Sequence, residues 1–281
     1  MIIWIASYPK SGNTWLRSLL CAYFFSKDGK FNFNQLGNIK QFSSYFLSST
    51  EVNESNYQSI VSKNWIPTQE IINKDNKIHF LKTHNALCSI NGNNFTNKKN
   101  TLASVYIVRD PRNIITSISN HYDFKLPDTL EFIKNKRKII FPNNKKTKYH
   151  SDFNFISSWS DHYLSWKNID FAPVKIIRYE DLLTDVDKVF ISILEFLSKF
   201  IKINFDKNKI KNSIDSTNFD NLAKMEKKEG FLESSDSTKN HKKIRFFHLG
   251  NKNTWKNLLD RKVSQNIEDH FKKEMESLGY L

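Results

Sequence analysis

Four short apolar runs stand apart from the rest of the chain: IIWIA at residues 2 to 6, KIHFL at 77 to 81, LASVYIV at 102 to 108 and APVKIIRY at 172 to 179. Each is apolar at nearly every position and bounded by polar or turn residues, the pattern of strands covered on both faces. The segments between them are long enough for helical crossovers. An α/β fold of three layers follows, with a central, mostly parallel β-sheet flanked by helices. Ligands of such sheets sit beyond the carboxyl ends of the strands, so the residues just after positions 6, 81, 108 and 178 are the ones to inspect.

The 281 residues, 39% of them hydrophobic, suffice for one sizeable domain spanning 1 to 281. A formal net charge of +14, from 43 Lys+Arg against 29 Asp+Glu, implies an anionic partner. Asn, Lys, Ile and Phe are abundant throughout, so part of that excess is general composition. The two cysteines, Cys21 and Cys88, are too few for a disulfide framework, and no CxxC or Cys/His cluster suggests zinc. No apolar stretch reaches the roughly 18 residues of a membrane span, and the apolar start reads as a strand. A soluble, cytoplasmic protein is expected.

Periodicity and caps predict helices over 14 to 25, from Pro111 with Asp110 as cap, and over 155 to 166, 187 to 200 and 263 to 275. Residues 229 to 253 are polar, basic and without periodicity, which predicts a long mobile loop of the kind that closes over sites.

The first run passes into SYPKSGNTW, residues 7 to 15. A Walker loop, GxxxxGK[ST], carries its lysine after the second glycine. Here Asn13 holds that position, Thr14 falls where the hydroxyl belongs, and the lysine is Lys10, before Gly12. Strand, sharp turn and helix N-terminus are otherwise those of an anion site. The second run continues into Lys82-Thr83-His84; on an extended chain Lys82 and His84 share a face. A neutral histidine there is suited to act as a base, although a lone Lys and His at a strand end carry no assignment. The third run ends in Arg109, with Asp110-Pro111 opening a helix and Ser117 two turns along it. An arginine fork and a serine hydroxyl suit a terminal phosphate; an Asp110–Arg112 surface pair and a Ser117 bonded to its own helix are the structural alternative.

Together these residues resemble the cytosolic-type sulfotransferases that use 3′-phosphoadenosine-5′-phosphosulfate (PAPS), whose phosphosulfate loop has the form YPKSGTTW against YPKSGNTW here. That family's strand-end arginine with a serine eight residues later is matched by Arg109 and Ser117, its KTH by Lys82 to His84, and its YED by Tyr179-Glu180-Asp181. Its T-S-F element corresponds to Thr217-Asn218-Phe219, and its GxxGxWKN element to GNKNTWKN at 250 to 257. The resemblance is collinear from residue 2 to about 268 and implies a P-loop-like fold.

The resemblance also implies roles. Lys10 and the backbone of Ser11, Gly12, Asn13 and Thr14 would hold the 5′-phosphosulfate, and Trp15 would stack on adenine. Arg109 and Ser117 would hold the 3′-phosphate, with the Gly250 backbone beside it, while Tyr179, Thr217 and Phe219 would line the adenosine. His84 would deprotonate the acceptor, and Lys82 would stabilise charge on the sulfuryl oxygens. The product would be adenosine 3′,5′-bisphosphate (PAP). Because transfer passes through a loose in-line transition state, Lys10 beside the departing oxygen would do the work of a Walker Mg²⁺, and no metal is expected.

Two departures stand out. His248-Leu249 precede Gly250 where the family has two cations, with Arg245 or a lysine of NHKKIR as the replacement. The family's C-terminal KxxxTVxxxE dimer pattern is reduced to Val263 and Glu268, so that mode of pairing is not expected. The acceptor, a hydroxyl or amine on a small molecule, glycan or lipid, is left open by the sequence. The basic run at 134 to 148 suits an anionic one. A Mg-dependent nucleotide kinase is the enzymatic rival and lacks its lysine and metal ligands here. A nucleic-acid or anionic-surface binder is the rival from another class, and no recognised nucleic-acid module accompanies that run.

Overall fold

The computed structural model describes residues 1–43, 57–140, 153–237 and 242–281. The basic run beyond residue 140 lies outside them, as do residues 44 to 56.

All four runs become strands: β1 (Ile2–Ser7), β2 (His79–Thr83), β3 (Thr101–Val108) and β4 (Val174–Arg178). They form one sheet in the order β2-β1-β3-β4, every pairing parallel. The alternation of side chains along β1 decides what covers each face. Ile2, Trp4 and Ala6 enter one core, while Ile3 and Ile5 enter the other.

The first core is closed by helices α2 (Pro111–Tyr122), α3 (Trp159–Lys167) and α6 (Arg261–Ser277) through Ile114, Ile118, Trp166, Ile267 and Phe271. The second is closed by α1 (Asn13–Phe25), α4 (Val186–Leu197) and α5 (Phe219–Glu229), which contribute Leu16, Leu19, Ile193, Leu197 and Leu222. Fully burying one such aliphatic or aromatic side chain contributes about 1.5–3 kcal/mol, so both faces hold the sheet. This is the three-layer α/β arrangement that the runs predicted.

Caps set the helix limits better than periodicity does. The helix expected over 155 to 166 begins only after Ser158, whose hydroxyl accepts from the Asp161 N–H. Asn154–Phe155 instead pairs with Ile139–Ile140 as a short antiparallel ladder. Asp185 and Asp260 cap α4 and α6 in the same way. Helices Tyr57–Ile72, Leu126–Lys134 and Lys207–Ser216 were not predicted; the first contains Pro67, and the last is strongly polar.

The segment at 229 to 253, read from the sequence as a long mobile loop, has local structure among its described residues. It carries a two-stranded hairpin, β5 (Ser235–Asp236) with β6 (Lys243–Ile244), and a 3₁₀ turn at Gly250–Lys252. Aromatic residues override its polar composition: Phe231 lies 4.7 Å from Phe33 between ring centroids, and Phe247 stacks on Phe33 at 6.2 Å.

One residue fixes the turn from β1 to α1. Gly12 has φ 98°, and a Cβ on it would fall 2.4 Å from Cδ2 of Tyr179. Gly12→Ala is therefore expected to lose roughly 1–3 kcal/mol of unfolding free energy, read as a lower denaturation midpoint with unchanged slope.

Candidate functional site

The ends of β1, β2, β3 and β4 open on a cavity of about 930 Å³. Of the residues singled out from the sequence, Lys10, Gly12, Asn13, Thr14, Trp15, Lys82, His84, Arg109, Ser117, Tyr179, Phe219 and Gly250 all line it. Two do not. Ser11 is buried beneath the turn, and Thr217 is buried with its hydroxyl donating to the Ser213 carbonyl of the preceding helix at 2.7 Å.

The turn is held from three sides. Asn13 Nδ2 donates to the Ile5 carbonyl at 3.1 Å and to Ser7 Oγ at 3.2 Å, stapling the start of α1 to β1. Lys10 is left in the left-handed region with φ 64°, and its carbonyl accepts from Arg109 Nη1 at 3.0 Å. The same Nη1 donates to Ser117 Oγ at 3.3 Å, and the guanidinium lies over the Tyr179 ring at 4.2 Å. Ser117 is thus drawn away from its own helix, and Asn253 Nδ2 reaches the same hydroxyl at 2.9 Å.

The Asp110–Arg112 pair is not on the surface. Arg112 is buried, bonding Asp110 Oδ2 and Glu268 Oε1 at 2.6 Å each and the Tyr280 carbonyl at 2.8 Å, with its guanidinium over the Trp255 ring. Glu268, the glutamate retained from the family's dimer pattern, is an internal ion-pair partner that ties α6 to α2.

Around His84 the geometry sets the proton. Nδ1 lies 2.8 Å from the Ser7 carbonyl, which only accepts, so Nδ1 carries the hydrogen and Nε2 keeps its lone pair. Burial, then the charge of Lys82, pushes the imidazole well below its ordinary pKa. His84 is therefore neutral at physiological pH. Its carbonyl accepts from His162 Nε2 at 3.1 Å, and His162 Nδ1 meets the Tyr106 hydroxyl at 2.8 Å.

Sequence reasoning missed three residues here. Arg17, one turn past Thr14, is buried in α1, with Nε and Nη2 donating to the Ile39 and Leu36 carbonyls. Glu233 accepts from Arg17 Nη1 at 2.6 Å, Thr14 Oγ1 at 3.0 Å and Lys82 Nζ at 3.2 Å. His121 lines the cavity, held down to about 3 by burial and by the charge of Lys10. A lone arginine within the apolar helical run NTWLRSLLCAYFF was the available signal for the first; nothing in the polar segment around Glu233 distinguished it. Of the proposed replacement cations, Lys243 lines the cavity, and Arg245 does not.

Lys10 has Phe246 over its ammonium at 3.6 Å. Burial lowers its pKa to about 7, with Glu233 opposing and Arg109 and Lys82 adding to the shift. The cost of that desolvated charge is full below about pH 7, where the lysine is charged folded and unfolded alike. It shrinks as pH rises from about 7 towards 10.5, so this group makes the ligand-free protein more stable over that window. Lys10→Met is expected to stabilise the ligand-free protein by roughly 1 kcal/mol at pH 6, about 2–4 °C in Tm, and by less at pH 9, read by calorimetry.

Comparison with known proteins adds the family. The profile described as Sulfotransferase domain matches residues 2–279. Sulfotransferase 1B1 of Canis lupus familiaris is 22% identical over 273 residues, covering 96% of this chain and 82% of that protein. The WSCD family member GA21586 of Drosophila pseudoobscura pseudoobscura is 26% identical over 202 residues, covering 70% of this chain and 50% of that protein. Among solved structures, mouse sulfotransferase SULT7A1 complexed with PAP aligns with TM-score 0.53 at 19% identity, over 97% of this chain and 83% of that one. Retinol dehydratase in complex with androsterone and inactive cofactor PAP aligns with TM-score 0.59 at 16% identity, over 98% and 80%.

Proposed function

The chain belongs to the sulfotransferase domain family, and from that premise we propose that it moves a sulfuryl group from PAPS to a hydroxyl or amine of an acceptor, with His84 as general base. The observation that carries the reading is the state of His84: its Nδ1–H is fixed on the Ser7 carbonyl, and the imidazole is neutral, in a cavity that Lys10 and Lys82 also line.

The residues fit the nucleotide. Trp15 Nε1, Arg109 Nε, Ser11 Oγ and Asn13 Oδ1 are buried without a hydrogen-bond partner among the described residues. At Gly250 a Cβ would fall 2.7 Å from Phe219, so only a glycine leaves that approach open. Trp15 and Tyr179 meet edge to face at 5.9 Å, with Phe219 on the same cavity, an aromatic surround suited to a base. Arg109 and Ser117, already joined, suit the 3′-phosphate, and Thr14 and the α1 N-terminus suit the 5′ end. Thr217 supports this arrangement from the end of the helix Lys207–Ser216 rather than by contact.

The donor supplies a sulfuryl group on a good leaving phosphate. The chain's part is positioning and electrostatics. His84 Nε2 accepts the acceptor's proton as its oxygen or nitrogen bonds to sulfur. Lys82 faces the sulfuryl oxygens, and Lys10 meets the charge that grows on the bridging oxygen as the S–O bond to the 5′-phosphate breaks. The acceptor end, lined by Gln41, His121, Ile140 and Asn154, takes a small molecule, a glycan or a lipid headgroup.

PAP without Mg²⁺ is expected to stabilise the protein by about 2.7 kcal/mol at a hundredfold excess over its Kd; equal or better stabilisation by Mg·ATP in a melting assay would favour a kinase instead. His84→Ala should lose turnover by roughly 10²-fold or more while still binding PAP, and unchanged turnover would remove His84 from the reaction. For the wild type, kcat/KM reports the free enzyme. It should hold level below pH 6.5, because His84 stays neutral there, and fall above about pH 7 as Lys10 loses its proton.

A further inference from the structure

The most unusual charge in the cavity is a carboxylate. Glu233 places Oε2 on Thr14 Oγ1 and Lys82 Nζ, and Oε1 on Arg17 Nη1. Burial works to raise this carboxyl, but Lys82 and Arg17 outweigh it and hold it ionised. Thr14 and Lys82 are the groups that the proposed reaction gives to the donor's 5′-phosphosulfate. A threonine hydroxyl has one hydrogen, so Thr14 donates to Glu233 or to the donor, never to both. A second anion brought against Oε2 in this half-buried place is repelled at short range.

The same segment covers the other lysine. The Phe246 ring, on the far side of the β5–β6 hairpin, lies on Lys10 Nζ. Glu226 of α5 makes the hairpin's two flanks one body: its carboxylate accepts from Ser234 Oγ at 2.8 Å and from the N–H groups of Phe246 and Phe247 at 2.7 and 2.9 Å. The segment thus presents a carboxylate to one end of the anion cradle and an aromatic face to the other.

We propose that Glu233 is an internal stand-in for the anionic end of the donor: in the ligand-free protein it occupies Thr14, Arg17 and Lys82, and it leaves them when a 5′-phosphorylated nucleotide binds. The inference rests on the sulfotransferase reading above and deepens it, adding Arg17 to the cations that face the 5′ end once the carboxylate has gone. Two consequences follow. The cradle's charges are never exposed unpaired, and donor affinity is reduced by the fraction of molecules in which Glu233 holds the site.

The experiment is titration calorimetry of wild type, Glu233→Gln and Glu233→Ala with two probes, PAP and adenosine 3′-monophosphate. The second carries the 3′ anion and no 5′ anion. Removing the competing charge should tighten PAP by about tenfold and leave adenosine 3′-monophosphate within about twofold, while the ligand-free Tm falls because Arg17 and Lys82 lose their partner. Melting curves confirm that each variant is folded, and glutamine, which keeps the shape and an acceptor oxygen, guards against collapse of the alanine variant. PAP affinity that is unchanged or weaker in both folded variants overturns the proposal, as does equal tightening of both probes, which would mean a general loosening of the segment. If the wild type binds neither nucleotide, the sulfotransferase reading fails first, a result distinct from either of these.

Discussion

A single guanidinium joins the parts on which the site depends. Arg109 closes β3, bonds the carbonyl of Lys10 at the end of β1, bonds Ser117 on α2 and lies over Tyr179 at the end of β4. Parallel strands bring their carboxyl ends to one edge of the sheet but do not fix the loops that leave them. Here one planar cation with several donors performs that fixing. It also holds Lys10 in a conformation that non-glycine residues seldom adopt. The position of the lysine before the glycine is thus set by a contact from another strand rather than by the turn sequence alone.

Gathering Lys10, Lys82 and Arg109 around one cavity, with Arg17 buried behind Lys82 and Glu233, carries an electrostatic cost. Desolvation, with their mutual repulsion added to it, shows in the lysines, whose pKa values both lie below the ordinary range, Lys10 at about 7. In the ligand-free protein the cost is offset locally: a carboxylate against Lys82 and Arg17, and an aromatic face against Lys10. Both offsets come from one polar segment, held together by Glu226. A site tuned for anions is kept stable without one by borrowing groups from its own chain.

Much of this was legible in the sequence. The four apolar runs gave the four strands in place, because doubly covered strands have a signal that no exposed element imitates. The collinear motifs brought together Lys10, Lys82, His84, Arg109, Ser117 and Tyr179. The failures share a cause: they depend on partners distant in sequence. The segment at 229 to 253 looked featureless because its order comes from Phe231 and Phe247 packing on Phe33, some 200 residues away. Thr217 is the exception, turned away from the cavity by a local hydrogen bond to the Ser213 carbonyl. Glu233 was invisible because its partners are distant, since an acid in a polar loop reads as solvated until they are placed.

The RDPRN segment shows how one short motif is divided between chemistry and architecture. Arg109 and Arg112 are three residues apart, yet the proline at the first helical position and the Asp110 cap between them send the two side chains to different destinations. Arg109, just past the end of β3, faces the cavity. Arg112, inside the first helical turn, enters a buried network with Asp110, Glu268 and the Tyr280 carbonyl, while the Tyr280 hydroxyl and the Asp110 N–H converge on Glu180. A buried ion cluster contributes little net stability when compared with apolar packing. Its value here is registration: the chain's last helix and last residues are locked to the turn that aims Arg109 and to the Tyr179-Glu180 pair. Arg109 can then act as a fixed point because Arg112, three residues on, anchors the same turn from behind.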